Sequence, residues 1–249
     1  MTARIAVLSD VHGNVAALEA VRKAVKAAKP DAIMICGDHV LNGPEPGATV
    51  DALRALESDG ALVVQGNTDV AVADFDYSAA FPGFTDGVPD SYRAAAEWAN
   101  DELSDEQLDW LRRLPAERRL RIEDTLLLAC HASPGSQTQG FDGALDPTVI
   151  YERVARTDAR IICCGHTHVP EIRDLGWKVI INDGSAGYVF DGDPTASWGL
   201  VTISDDGEAT AEIRRTEFDA LSVANAISAR GLPGDVYRAA TVRTGKLVR

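Results

Sequence analysis

Five short apolar runs in this chain each end on Asp, Asn, His or Gly, and that pattern constrains the fold more than any other feature. Residues 5–8 run into Asp10 and His12, residues 32–36 into Gly37, Asp38 and His39, and residues 61–65 into Gly66 and Asn67. Residues 125–130 run into His131, and residues 161–164 into Gly165, His166 and His168. Runs of this length bounded by turn residues read as buried strands. Between the first two lie Val15, Leu18, Val21 and Val25 at near-helical spacing, ended by Pro30; between the next two lie Val50, Leu53 and Leu56, stopped by Gly60. Strands alternating with helices at this spacing predict parallel pairing through right-handed crossovers, which places the chain in the α/β class.

The rhythm breaks at residues 70–115, where Phe81-Pro82-Gly83 and Gly87-Val88-Pro89 are loop signals followed by two helical patterns, the second opened by a Ser104/Gln107 capping box. We read this stretch as a small, mainly helical cap inserted in a single domain that spans residues 1–249. A hairpin is predicted over 120–130, a helix over 147–156, and then short antiparallel strands at 171–174, 178–181, 198–203 and 209–214. A helix over 219–230, ended by Gly231, closes the pattern.

A chain of 249 residues with 45% hydrophobic content buries one sizeable core. Its formal charge of −14 repels phosphate backbones, and no basic patch tracks a nucleic acid, so nucleic acid is not expected as a partner. An anionic substrate must be attracted locally, for example by metal cations. The four cysteines fall inside apolar runs without C-x-x-C spacing, which reads as buried reduced thiols. Residues 1–9 are too short for the regions of a signal peptide, and no apolar run approaches the roughly 18 residues that span a bilayer, so a cytoplasmic location without membrane association is expected.

In open α/β sheets, ligands bind outside the carboxyl ends of the strands, and that is where these residues fall. Asp10, His12, Asp38, Asn67, His131, His166 and His168 can therefore converge on one crevice. Taken singly, each has an ordinary structural explanation: Gly37-Asp38 as a turn, Asn67 in a left-handed conformation, His131 as a hydrogen-bonded core histidine. Together they form a mixed imidazole and carboxylate set, which suits Mn, Fe, Zn or Ni better than Mg or Ca. Seven ligands exceed the needs of one ion, and a carboxylate such as Asp38 can bridge two.

In order along the chain, D-x-H (Asp10, His12), G-D (Gly37, Asp38), G-N-x-D (Gly66, Asn67, Asp69), His131 and G-H-T-H (residues 165–168) resemble the signature of the calcineurin-like metallophosphoesterases. The resemblance runs from Ile5 to about Ile203 and includes the Asn182-Asp183-Gly184-Ser185 loop. It implies two mixed β-sheets packed as a sandwich and flanked by helices. It also implies one divalent metal on Asp10, His12, Asp38 and His168 and a second on Asp38, Asn67, His131 and His166, with Mn the first expectation. In such enzymes a metal-bridging water attacks phosphorus in line, and the substrate is a small phosphate ester. Completeness of the ligand set argues for metal binding and separates this chain from the retromer subunit that resembles the family but has lost ligands; the alternatives to a phosphodiesterase are a phosphomonoesterase or nucleotide phosphatase and a metal-stabilised non-catalytic scaffold.

Two departures bear on chemistry. Relatives place a His after the metal-binding Asn, where this chain has Thr68, which donates a hydrogen bond but does not titrate near neutrality. The adjacent His39 is a candidate substitute acid, so Asp38, Asn67, Thr68 and His39 form the candidate catalytic set. Protein phosphatases of the superfamily carry Asp-Arg after the G-D motif, where this chain has Leu41-Asn42; loss of that clamp favours a diester over a monoester. Tyr77, Phe81, Phe84, Tyr92 and Trp98 of the cap are candidates for the substrate entrance, as are Ser136, Gln137 and Gln139 for a phosphate contact, beside the plainer readings of packing and a solvated loop.

Overall fold

The computed structural model describes residues 2–249. Along the chain lie β1 (Ala3–Leu8), α1 (Val15–Ala28), β2 (Ala32–Cys36), α2 (Pro46–Ser58), β3 (Leu62–Val64), α3 (Asn67–Asp74), α4 (Tyr77–Ala80), α5 (Asp90–Asp101) and α6 (Asp105–Arg113). They are followed by β4 (Glu117–Ile122), β5 (Thr125–Cys130), α7 (Pro147–Val154), β6 (Ile161–Cys164), β7 (Glu171–Asp174), β8 (Val179–Asn182), β9 (Ala196–Ile203), β10 (Ala209–Thr216), α8 (Ala220–Arg230) and α9 (Asp235–Thr244). The strands form two five-stranded sheets, ordered β10-β9-β1-β2-β3 and β4-β5-β6-β8-β7.

Alternation along the strands separates the layers. Ile5 and Val7 of β1, Met34 and Cys36 of β2 and Val201 of β9 face Leu127, Ala129, Ile161, Cys163 and Ile181 of the other sheet. The residues between them face outward: Ala6, Leu8 and Ile35 pack under α1, α2, α5 and α6, while Leu128, Ile162 and Ile180 pack under α7. The result is two mixed sheets with helices on both outer faces. Leu108, Trp110 and Leu111 of the 70–115 segment share the core of α1 and α2. The Ser104/Gln107 capping box forms, with Gln107 N–H on Ser104 Oγ at 3.3 Å and Ser104 N–H on Gln107 Oε1 at 3.0 Å.

All four cysteines are buried and unpaired, and burial pushes their thiols up. No helix of the described residues is long and apolar enough to cross a membrane.

Three features differ from the sequence expectations. The stretch after residue 164 is not purely antiparallel: β8 pairs parallel with β6, all four of its residues are buried, and Val179, Ile180 and Ile181 make the continuous apolar run of an internal strand. Asn67 opens α3 instead of occupying a turn. Helix α9 has no counterpart in the predicted elements; Gly231-Leu232-Pro233-Gly234 reads as a terminus, and its buried face carries Asp235, Arg238 and Thr241, which break the apolar period.

Candidate metal centre

β1, β2, β3, β5 and β6 all deliver their carboxyl ends to one edge of the sandwich, so their loops meet there. Asp10, His12, Asp38, Asn67, His131 and His168 are buried and His166 is half-buried, so the cluster meets solvent on the His166 side. Two groups form. Asp10, His12, Asp38 and His168 place one ligand atom each within 4.8 Å of one another. His12 Nε2 lies 3.7 Å from Asp10 Oδ1, 3.6 Å from Asp38 Oδ2 and 3.2 Å from His168 Nε2. On the other side of Asp38, Oδ1 is 3.4 Å from His131 Nε2, which is 2.9 Å from Asn67 Oδ1 and 3.1 Å from His166 Nδ1.

Hydrogen bonds outside the cluster set which ring nitrogen faces in. Nδ1 of His12 meets the carbonyl of Leu41 at 2.9 Å, Nδ1 of His131 that of Cys36 at 2.7 Å, and Nδ1 of His168 that of Tyr188. A carbonyl only accepts, so each Nδ1 donates and each Nε2 is left to face a cation inside. Nε2 of His12 and of His168, 3.2 Å apart, cannot satisfy each other as two lone pairs. Asp10 Oδ1 is buried without a hydrogen-bond partner. Unpaired acceptors from three side chains converging on one point fit a divalent ion with mixed N and O ligands.

The electrostatics agree. Burial works against the ionised form of Asp10, yet His168 and His12 hold its carboxyl well below the usual range; His131 and His12 do the same for Asp38. Burial would lower His131, but the Asp38 carboxylate raises it to about 10. Burial and then His131 push His166 down to about 4. The pocket thus holds anions and demands positive charge.

The backbone is shaped to make this possible. Asp10, His12, Asp38, His166 and His168 have φ of 52°, 51°, 57°, 71° and 59°, five of the nine non-glycine residues with positive φ among those described. Such conformations cost about 1–3 kcal/mol each and concentrate at functional sites. Two motif glycines are required by close approach: a Cβ on Gly66 would collide with the Asp38 carboxylate, and one on Gly165 with that of Asp10.

Of the other sequence candidates, Thr68 lies at the cluster and His39 does not. Thr68 donates its N–H to Asp38 Oδ1 at 2.9 Å, and its buried hydroxyl has no partner. His39 is fully buried, with Nε2 2.9 Å from the Val64 carbonyl and its ring 5.8 Å from that of Trp110. Gln137 donates to the Gln65 carbonyl at 2.9 Å, and Ser136 Oγ accepts from Thr138 and Gln139. Phe81, Phe84 and Tyr92 pack edge-on against one another, and Tyr77, Phe81 and Phe84 line a hollow of about 300 Å³. Trp98 lies under the Arg230 guanidinium at 4.4 Å.

Two supporting residues, Ser9 and Phe190, escaped the sequence reading, and a third, Asp69, entered it only as a member of the G-N-x-D motif, without a role. Asp69 accepts from the N–H groups of Gly66, Asp38 and His39 at 2.8, 3.1 and 2.7 Å, tying the two ligand loops together. Its place at the third position of α3, a helix-capping position, was the available signal. Ser9 Oγ donates to Asp10 Oδ2 at 2.5 Å, and Phe190 stacks on His168 with centroids 4.2 Å apart; neither has a signal in the sequence.

Comparison with known proteins places this geometry. The calcineurin-like phosphoesterase superfamily domain matches residues 3–206. The uncharacterized protein MJ0912 of Methanocaldococcus jannaschii is 29% identical over 234 residues, covering 86% of this chain and 88% of that protein. A metallophosphoesterase from Sphaerobacter thermophilus superposes with a TM-score of 0.73 at 27% identity, covering 98% of this chain and 99% of its own. The protein PH1004 from Pyrococcus horikoshii shares the fold, with a TM-score of 0.81 at 21% identity over 98% of both chains. With two mixed sheets, the ordered ligand motifs and a family match over most of its length, the chain belongs to the calcineurin-like phosphoesterase superfamily.

Proposed function

We propose that the protein is a dinuclear metal-dependent phosphodiesterase acting on a small phosphate ester. One observation carries the two-metal reading: the two oxygens of Asp38 face different groups, Oδ2 towards His12 at 3.6 Å and Oδ1 towards His131 at 3.4 Å. The first ion falls to Asp10, His12, Asp38 and His168, the second to Asp38, Asn67, His131 and His166, with Mn²⁺ the leading candidate and Fe, Zn or Ni the alternatives. Bound there, two divalent cations neutralise charge on phosphoryl oxygens and acidify water. The chain's own part is positioning. Thr68 N–H and the Asp69 carboxylate hold Asp38, Ser9 holds Asp10, and the free Thr68 hydroxyl is available to a phosphoryl or leaving oxygen.

The preference for a diester rests on what the neighbouring loop supplies. Asn42 turns its carboxamide oxygen to Arg238 Nε at 3.0 Å, and no guanidinium comes from this loop to grip a monoester dianion. With Thr68 in the acid position and His39 turned to Val64, good leaving groups are favoured over alkyl ones.

The test is hydrolysis of bis-p-nitrophenyl phosphate and p-nitrophenyl phosphate by metal-stripped protein reloaded with Mn²⁺, Ni²⁺, Zn²⁺ or Mg²⁺, beside Asp38→Asn, with bound metal quantified. Metal-dependent turnover that prefers the diester and is lost in the variant is expected. A preference for the monoester overturns the diesterase assignment, and two bound ions without turnover on either ester make the protein a metal-stabilised scaffold.

A further inference from the structure

The C-terminal hairpin α8–α9 lies beyond the matched family domain and carries one buried arginine, Arg238, and one half-buried, Arg230. Their donors converge on the loop that follows Asp38. Arg230 Nη1 donates to the Gly43 carbonyl at 2.7 Å and Nη2 to that of Asn42 at 2.8 Å. Arg238 Nε donates to Asn42 Oδ1 at 3.0 Å, while its Nη2 reaches the Ser91 carbonyl in the first turn of α5. Asp235, buried between the two, accepts from Arg230 at 2.7 Å and from Arg238 at 3.1 Å, so the guanidinium planes are fixed.

The loop so held includes Leu41, whose carbonyl fixes the ring of His12. A second link runs to His168. Its Nδ1 partner is the carbonyl of Tyr188, and Tyr188 is packed among Val223, Ala224, Ile227, Ala239 and Val242 of the same hairpin. The Gly192 N–H then donates to the Gly245 carbonyl at 2.7 Å, closing that segment onto the end of α9. Both histidines of one candidate metal site are thus aimed by carbonyls whose segments lean on α8–α9. The other site is oriented differently: His131 is aimed by Cys36 at the end of β2, and Asn67 Nδ2 donates to the Ala80 carbonyl at 2.9 Å.

We propose that Arg230 and Arg238 are positioning residues for the Asp10/His12/Asp38/His168 site alone, with α8–α9 acting as a latch that sets its affinity and leaves the Asn67/His131/His166 site untouched. This rests on the two-site reading above. Removing a partner that orients a metal ligand weakens metal affinity by roughly 10–100-fold.

The test is Mn²⁺ binding by equilibrium dialysis to the full metal-stripped chain, with each site isolated in turn. His131→Ala leaves the latched site, and His12→Ala leaves the other. Adding Arg230→Lys, which keeps the charge and loses the fork, is expected to weaken binding about tenfold in the His131→Ala background and to leave the His12→Ala background unchanged. Equal weakening in both backgrounds, or none in either, overturns the latch. A parent chain that takes up a single ion removes the two-site reading instead, so the two failures are distinguishable. If Arg230→Lys does not fold, Asn42→Gly decides the matter by the same criterion, since glycine tolerates the φ of 81° there and removes only the acceptor for Arg238.

Discussion

Thr68 holds Asp38 through its backbone, not its side chain: the N–H donates to Asp38 Oδ1 at 2.9 Å while the hydroxyl, buried beside the cluster, is unpartnered. The two roles are therefore separable. Thr68→Val keeps the N–H and the shape, so metal stoichiometry should match the parent, while turnover falls by about tenfold or less for loss of one neutral hydrogen bond. Thr68→His restores a titratable donor and should raise turnover of esters with poor leaving groups more than of p-nitrophenyl esters. Rates on a leaving-group series, with metal content measured alongside, check both; equal gains across the series would exclude general-acid assistance at this position.

The convergence of the candidate residues was legible because each follows an apolar run, and strands that pair in parallel bring their carboxyl ends to the same edge. Periodicity alone could not distinguish His39 from His166: both follow a ligand loop, but the N–H of His39 is bound by Asp69 and its ring is carried towards Val64 and Trp110. Nor could it show α9, whose buried face carries Asp235 and Arg238 paired with groups more than a hundred residues away or across the α8–α9 turn. These polar side chains are satisfied by partners outside their own helix or loop, and local sequence does not record such partners.

Gly66 and Gly165 make a second prediction. Neither has a positive φ in this structure, so conformational freedom is not their role; a side chain simply has no room beside Asp38 and Asp10. In Gly66→Ala the methyl group must displace the Asp38 carboxylate or the β3–α3 turn. Overpacking of this kind costs about 1–3 kcal/mol of stability, and the displaced carboxylate faces both candidate sites. Gly66→Ala should therefore reduce the uptake of both ions, whereas Gly165→Ala, pressing on Asp10, should reduce one first. Gly60→Ala, where a Cβ meets nothing within 4 Å but φ is 103°, is the control: some loss of melting temperature without loss of metal. Melting curves and metal analysis of the three variants separate strain from displacement.

The metal-free protein should lose stability as the solution becomes alkaline. Burial disfavours a charged His131, but the Asp38 carboxylate 3.4 Å away outweighs burial and raises His131 from 6.5 to about 10; His12 is also raised, against burial, by Asp10 and Asp38. A base whose value rises on folding contributes stability that is complete below its unfolded value near 6.5 and is lost as pH climbs through about 10. His166 acts in the opposite direction. Lowered to about 4, it stays neutral in the fold while the unfolded chain takes up a proton, so stability also declines as pH falls from 6.5 towards 4. The melting temperature in chelator should peak near neutrality and fall on either side. His131→Gln should flatten the alkaline limb. Metal ions compete for the same inward nitrogen, so loading them should release protons at neutral pH and remove much of the alkaline loss. Calorimetric titration in buffers of different ionisation enthalpy measures that release, and heats independent of the buffer would show that His131 is already neutral before the metal arrives.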